Sequence, residues 1–155
     1  MNRRHIAAAA LAGALLAAPI AAQNFNLQPT FGTINLRAGF EPDPRFIDVT
    51  AGGRLDSARL GAQCTGSIAD APDVRLNYTS GTFPLYLFAQ SRQDVTLVVN
   101  LPDGSWICND DFDGTNPGIV LQRPPSGQYD IWVGVFGGGS GIPARLGISE
   151  LPPRR

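Results

Sequence analysis

Asp94-Val95-Thr96-Leu97-Val98-Val99-Asn100-Leu101-Pro102-Asp103-Gly104 is the stretch from which the fold is read. Val95, Leu97, Val99 and Leu101 alternate with Asp94, Thr96 and Asn100. A period of two belongs to an extended strand with one apolar face. Pro102-Asp103-Gly104 ends it, because proline fixes φ and glycine tolerates the positive φ of a tight reversal. Ser105 to Cys108 then reads as the returning arm of a hairpin.

The same period recurs on both sides. Ile34 and Leu36 alternate with Asn35 and Arg37; Ile47 and Val49 alternate with Asp48 and Thr50 after the turn-like Glu41-Pro42-Asp43-Pro44. Val74, Leu76 and Tyr78 oppose Asp73, Arg75 and Asn77, a half-buried strand with one wet face. Leu85–Ala89 is apolar on both faces and reads as a central strand. Ile119–Leu121 is short. Tyr129, Ile131, Val133 and Val135 share a face, with Trp132 opposite; Gly137–Gly141 reads as a flexible loop, and Ala144, Leu146 and Ile148 form the last strand. Glycine and proline, 18 and 13 of 155 residues, make one residue in five a turn-former, which leaves little room for long helices. No window beyond the N-terminal segment keeps the apolar spacing of a helix. About eight or nine short strands predict an all-β fold, an antiparallel, jelly-roll-like β-sandwich.

Residues 1–22 read as an address. Arg3 and Arg4 precede the apolar run Ile6–Ala18, Pro19 breaks it, and Ile20-Ala21-Ala22 offers a small residue for cleavage: the form of a secretory signal peptide. The run is too short to span a bilayer comfortably. Asn2-Arg3-Arg4-His5-Ile6 fits a twin-arginine signal as well as an ordinary one. The expected organisation is a signal peptide at 1–22, a flexible arm at 23–30, one β-sandwich domain at 31–151 and a tail at 152–155. Export to the periplasm or beyond follows, with no membrane span in the mature chain.

Charge excludes several functions. The 12 basic residues are all arginine, against 13 acidic ones, so nothing favours nucleic acid. His5 is the only histidine and leaves with the signal. Without histidine or lysine, a serine triad, a Cys–His pair, a Ser–Lys dyad and a Schiff base all lack their base or nucleophile. Paired carboxylates remain, but the 11 aspartates fall mainly in turns, where hydrogen bonding to the backbone accounts for them. The chain therefore reads as a non-catalytic module binding a protein, polysaccharide or surface, with a carboxylate hydrolase or a calcium-stabilised structural domain as the alternatives. Oligomeric state leaves no mark in the sequence.

Cys64 and Cys108 are the only cysteines. In an exported chain an even pair reads first as a disulfide; free thiols or a metal site are the alternatives, and two thiols without histidine fall short of a zinc tetrahedron. The densest polar cluster, Asn109-Asp110-Asp111-Phe112-Asp113-Gly114-Thr115-Asn116, offers oxygen ligands on a glycine-containing loop, the chemistry of a hard cation such as Ca²⁺. Asp110, Asp111 and Asp113 would supply carboxylates and Asn109 a neutral oxygen, with Asp103 converging on the same end; a solvated acidic loop is the competing reading. Trp106, Trp132 and Phe136 are the aromatics from which a binding surface would be built, with partial cover of both strand faces inside the sandwich as the competing and favoured reading. Asn77-Tyr78-Thr79 fits a glycosylation sequon and reads as an ordinary strand end.

Taken together, the Asp94–Gly104 strand and turn, the following Asp110-Asp111 and Gly127-Gln128-Tyr129 resemble the core of bacterial pre-peptidase C-terminal domains. The similarity runs from about Asp73 to Leu151. It implies a jelly-roll-like sandwich, usually a non-catalytic appendage of a secreted peptidase that binds substrate or surfaces, with calcium bound in some relatives. No peptidase domain accompanies it here, and the cysteine pair departs from the simplest pattern.

Overall fold

The computed structural model describes residues 24–153, so the expected signal at 1–22 lies outside the described residues. Eleven strands form two layers: β1 (Thr33–Arg37), β2 (Arg45–Gly53), β3 (Leu55–Asp56), β4 (Ser67–Ile68), β5 (Val74–Thr79), β6 (Leu85–Ser91), β7 (Val95–Asn100), β8 (Trp106–Asn109), β9 (Gly118–Leu121), β10 (Gly127–Val135) and β11 (Gly139–Ser149). One layer runs β2-β11-β6-β9, all antiparallel. In the other, β10 is central. It pairs with β5 and then, at Val135, with β4 on one side, and with β7 on the other. β1 extends this layer beyond β5, and β8 beyond β7.

The all-β sandwich is as expected, with differences that have physical causes. β1 runs parallel to β5 rather than antiparallel. Strands in parallel need a crossover, and here the whole of β2 to β4 lies between the two. Gly139–Gly141, expected as flexible loop, begins β11 and pairs with Gly52 and Gly53 through a bulge. The Pro102-Asp103-Gly104 reversal is present: Gly104 sits at φ 82° and donates its N–H to the Leu101 carbonyl.

The main core lies between the layers, where Leu76, Leu87, Leu97, Ile131, Val133, Leu146 and Ile148 are fully buried. A second, smaller core covers the part of the larger sheet's outer face that lies over β7, β8 and the end of β10. There Leu55, Leu60, Cys64 and Ile68, from the segment running from β3 to β4, close over Val98, Cys108 and Trp132. β7 is consequently buried on both faces, and the polar side chains opposite its apolar line, Thr96 and Asn100, are covered. Cys64 and Cys108 are joined, S–S 2.04 Å, which staples the covering segment to β8.

The segment before β1 makes hydrogen bonds to the larger sheet and to the chain leading into β5. Asn24 N–H donates to the Asp70 carbonyl, Thr30 N–H to the Pro72 carbonyl, and the Arg75 guanidinium to the carbonyls of Phe25 and Leu27. At the other end of the larger sheet, Tyr129 donates its hydroxyl to the Pro125 carbonyl four residues upstream, 2.6 Å, in the manner of a tyrosine corner. Tyr129→Phe is expected to cost about 1 kcal/mol, the worth of one such bond. A thermal melt of the variant should fall by a few degrees, and an unchanged melting temperature would show that the corner is dispensable.

Candidate functional site

The sequence-predicted aromatic set is divided by the fold. Trp132 is fully buried beneath the covering segment, with Trp106 packed against it at 5.4 Å between ring centroids. Trp132 therefore presents no surface; its face of β10 is outward in the sheet but inward in the molecule. Trp106 is half-buried at the edge of this small core. Phe136, 47% exposed in the β10–β11 turn, stands alone.

The predicted cation loop also comes apart. Asp103 lies in the turn beyond the Asn100–Trp106 pair, whereas Asn109 pairs with Leu97 at the opposite end of the hairpin. Three residue steps separate these two pairs, roughly 10 Å along a strand, so Asp103 does not converge with the others. Its carboxylate accepts from the Ser105 N–H and hydroxyl, which holds its pKa below the usual carboxylate value. Asn109 Oδ1 accepts from the Gly118 N–H and is committed there. Asp113 lies in a small turn that bridges to Asn116. Burial raises the Asp94 carboxyl above its ordinary value, and the charges of Asp111 and Asp110 add to the shift. Among the described residues no group of three or more histidine, cysteine, aspartate or glutamate side chains is arranged to hold a metal ion.

Three other acidic side chains, Asp73, Glu150 and Asp43, have structural partners. Asp73, 3% exposed, accepts the Val133 N–H at 2.6 Å. β10 leaves β5 at Ile131 and meets β4 only at Val135. The Asp73 side chain thus stands in for the strand missing beside Val133. Burial raises its pKa to about 7, against the lowering effect of the Val133 bond. Glu150 accepts the Tyr78 hydroxyl at 2.6 Å and the Gly39 N–H at 2.7 Å, and Asp43 accepts from Ser149 Oγ and the Glu150 N–H. Burial and the Glu150 charge push the Tyr78 phenol up. These bonds pin the Gly39–Pro44 turn to the end of β11, and their acceptors are already occupied.

Two surfaces escape any single-strand reading. On the smaller sheet, the register sets Phe46, Gly147, Phe88 and Gly118 in one transverse row. The Phe88 ring lies over Gly147, where a Cβ would come within 2.2 Å of it, and Phe112 lies over Gly118 in the same way. Phe46 meets Phe88 edge-on at 5.9 Å, and the Arg145 guanidinium sits 4.2 Å from the Phe46 ring centre. Those rings fill glycine gaps and pack against the sheet.

On the larger sheet, the outer positions of β1, β5 and β10 form an open groove of about 590 Å³. Asn35, Asn77 and Gln128 are neighbours in register across the three strands. Asn77 Nδ2 donates to Asn35 Oδ1 at 2.8 Å, and Gln128 Nε2 to Asp130 Oδ2 at 2.7 Å. Arg75 Nε meets Asp130 Oδ1 at 2.7 Å, so the charge beside the groove is internally paired. Arg37, Thr79 and Ser126 also line it, together with Leu36, Tyr78 and Gly127. Asn35, Asn77 and Gln128 were not among the residues singled out from the sequence, because the signal that unites them is strand register.

No protein-family model matches the sequence, and no curated protein matches it. Among solved structures, the crystal structure of Aeromonas hydrophila PliG, a periplasmic lysozyme inhibitor of g-type lysozyme, is similar over 76% of this chain and 96% of that one. The identity is 14% and the TM-score 0.43.

Proposed function

We propose that the protein is an exported, non-catalytic β-sandwich module that binds a partner through the outer face of its larger sheet. The observation that carries this reading is the groove itself. It is built from side chains that hydrogen bonds hold in place before any ligand arrives, and no carboxylate, histidine or lysine lines it. Preorganised polar groups suit binding, since little side-chain entropy remains to be lost. Catalysis by proton transfer needs a titratable group within reach of a substrate. Asp73, whose pKa stands near neutrality, is buried and bonded to the backbone instead.

Export is supported by the disulfide, which persists in oxidising compartments, together with the signal-like residues 1–22. No helix among the described residues is long and apolar enough to cross a membrane. A role beside a secreted peptidase is the form of this reading that the pre-peptidase resemblance favours.

The mature chain is expected to show no hydrolysis of peptide, ester or glycoside substrates, with or without EDTA, and no labelling by a fluorophosphonate. Stoichiometric modification of one serine with matching loss of an activity would overturn the non-catalytic reading. A g-type lysozyme belongs among the proteins presented to it in a binding assay.

A further inference from the structure

We propose that the groove over β1, β5 and β10 binds an uncharged polysaccharide. The proposal rests on the binding-module reading and names the ligand class. Each amide of the row uses one half for a neighbour and leaves the other half free. Asn77 gives its Nδ2 to Asn35 and keeps its carbonyl oxygen; Asn35 accepts and keeps its Nδ2; Gln128 gives its Nε2 to Asp130 and keeps its carbonyl oxygen. The groove thereby presents fixed acceptors and a fixed donor side by side. A sugar hydroxyl both donates and accepts, so a row of such groups is complementary to it.

Charge points to a neutral ligand. Asp130 is 2% exposed and bound to Arg75 Nε, and Arg75 Nη2 donates to the carbonyls of both Phe25 and Leu27. Arg37 is the one cation in the wall, too little to hold a polyanion, whose binding needs several arginines or lysines. The aromatic and aliphatic members of the lining, Tyr78 and Leu36, are packed into the core beneath it, so the groove offers no protruding anchor of the kind that dominates protein interfaces. Apolar contacts stand beside it instead. Phe25 and Leu27 are 43% and 40% exposed and are tied to Arg75. Trp106 closes the transverse row Thr33–Arg75–Asp130–Asn100–Trp106 on the far side. Such groups suit the C–H faces of sugar rings, and an open groove suits a polymer that continues past it.

The test is affinity electrophoresis of the disulfide-intact chain in gels containing soluble neutral polysaccharides (hydroxyethyl cellulose, amylose, glycol chitin in its N-acetylated form, galactomannan), with alginate and heparin as polyanion controls. Retardation is expected in at least one neutral gel, unchanged by raised salt, and absent from the controls. Asn77→Ala and Gln128→Ala are each expected to weaken it about fivefold, the worth of one hydrogen bond. Both variants should keep the wild-type circular dichroism and melt within a few degrees of it, each having lost one hydrogen bond to a neighbour. No retardation in any neutral gel, or retardation that neither substitution changes, would overturn the assignment. Salt-sensitive retardation only in alginate or heparin would overturn it in favour of an anionic ligand. If neutral gels fail while a protein binds and either substitution weakens that binding, the glycan assignment falls and the binding-module reading stands.

Discussion

Reduction of the Cys64–Cys108 bridge is expected to lower the stability of the domain by about 4 kcal/mol. The two cysteines are 44 residues apart, and opening a loop of that size returns chain entropy of roughly this value to the unfolded state. The melting temperature should fall by roughly 15 °C for a domain of this size. The bridge also has a local task. It holds the segment between β3 and β4 over Trp132, which is fully buried. Reduction should therefore loosen that cover first and shift tryptophan emission to the red before the sandwich melts. Intact mass should rise by about two hydrogens on reduction. Labelling of both thiols in native, unreduced protein would contradict the bridge. An unchanged melt after complete reduction would show that the covering segment holds without it.

The second large effect is expected at Asp73. Its carboxyl has a folded-state value of about 7 against an ordinary 3.8, because burial penalises the charged form. The folded protein therefore keeps a proton there that the unfolded chain has released. The associated stability is complete below pH 3.8, declines as pH rises through the window, and is gone above about pH 7. Asp73→Asn keeps an oxygen to accept the Val133 N–H and cannot ionise. It is expected to match the wild type near pH 4 and to exceed it at pH 8 by something on the order of 3 kcal/mol. Asp73→Ala should instead destabilise at every pH, since the Val133 N–H is left buried without a partner. Denaturant titrations of the three proteins across that range test the point. A variant gain that is the same at pH 4 and pH 8 would mean that Asp73 is ionised throughout.

The alternating strands were legible because their side chains answer to a single periodicity. Leu76, Leu97 and Ile131 point inward as the pattern requires, and Leu85–Ala89 does lie within a central strand. Cover of both faces of the Trp132 strand was the favoured reading, but what supplies it was not legible, because Leu55 to Ile68 has no periodic pattern and only two-residue strands. A strand's sequence tells which residues oppose one another, not whether a third layer lies on top. The separation of Asp103 from Asn109 follows from hairpin register, which places the two at opposite ends of the same pair of strands. The groove was invisible for the same kind of reason. Asn35, Asn77 and Gln128 come from three strands far apart in the chain, and only the parallel β1–β5 pair and the β5–β10 pair bring them together. What the sequence did show about function was negative: the absence of lysine, and of any histidine beyond His5, removes most nucleophile–base chemistry before any coordinate is known.

The central claim is that this face binds without turning over. It is tested most directly by following the side-chain amide and indole NMR signals of labelled protein while a neutral oligosaccharide is added, with the sugar watched in the same tube. The account predicts saturable shifts for the side chains of Asn35, Asn77 and Gln128, little change for the deeply buried Trp132 indole, and an intact sugar at the end. Cleavage of the sugar, or saturable shifts confined to other surfaces with those three amides unmoved, would contradict it.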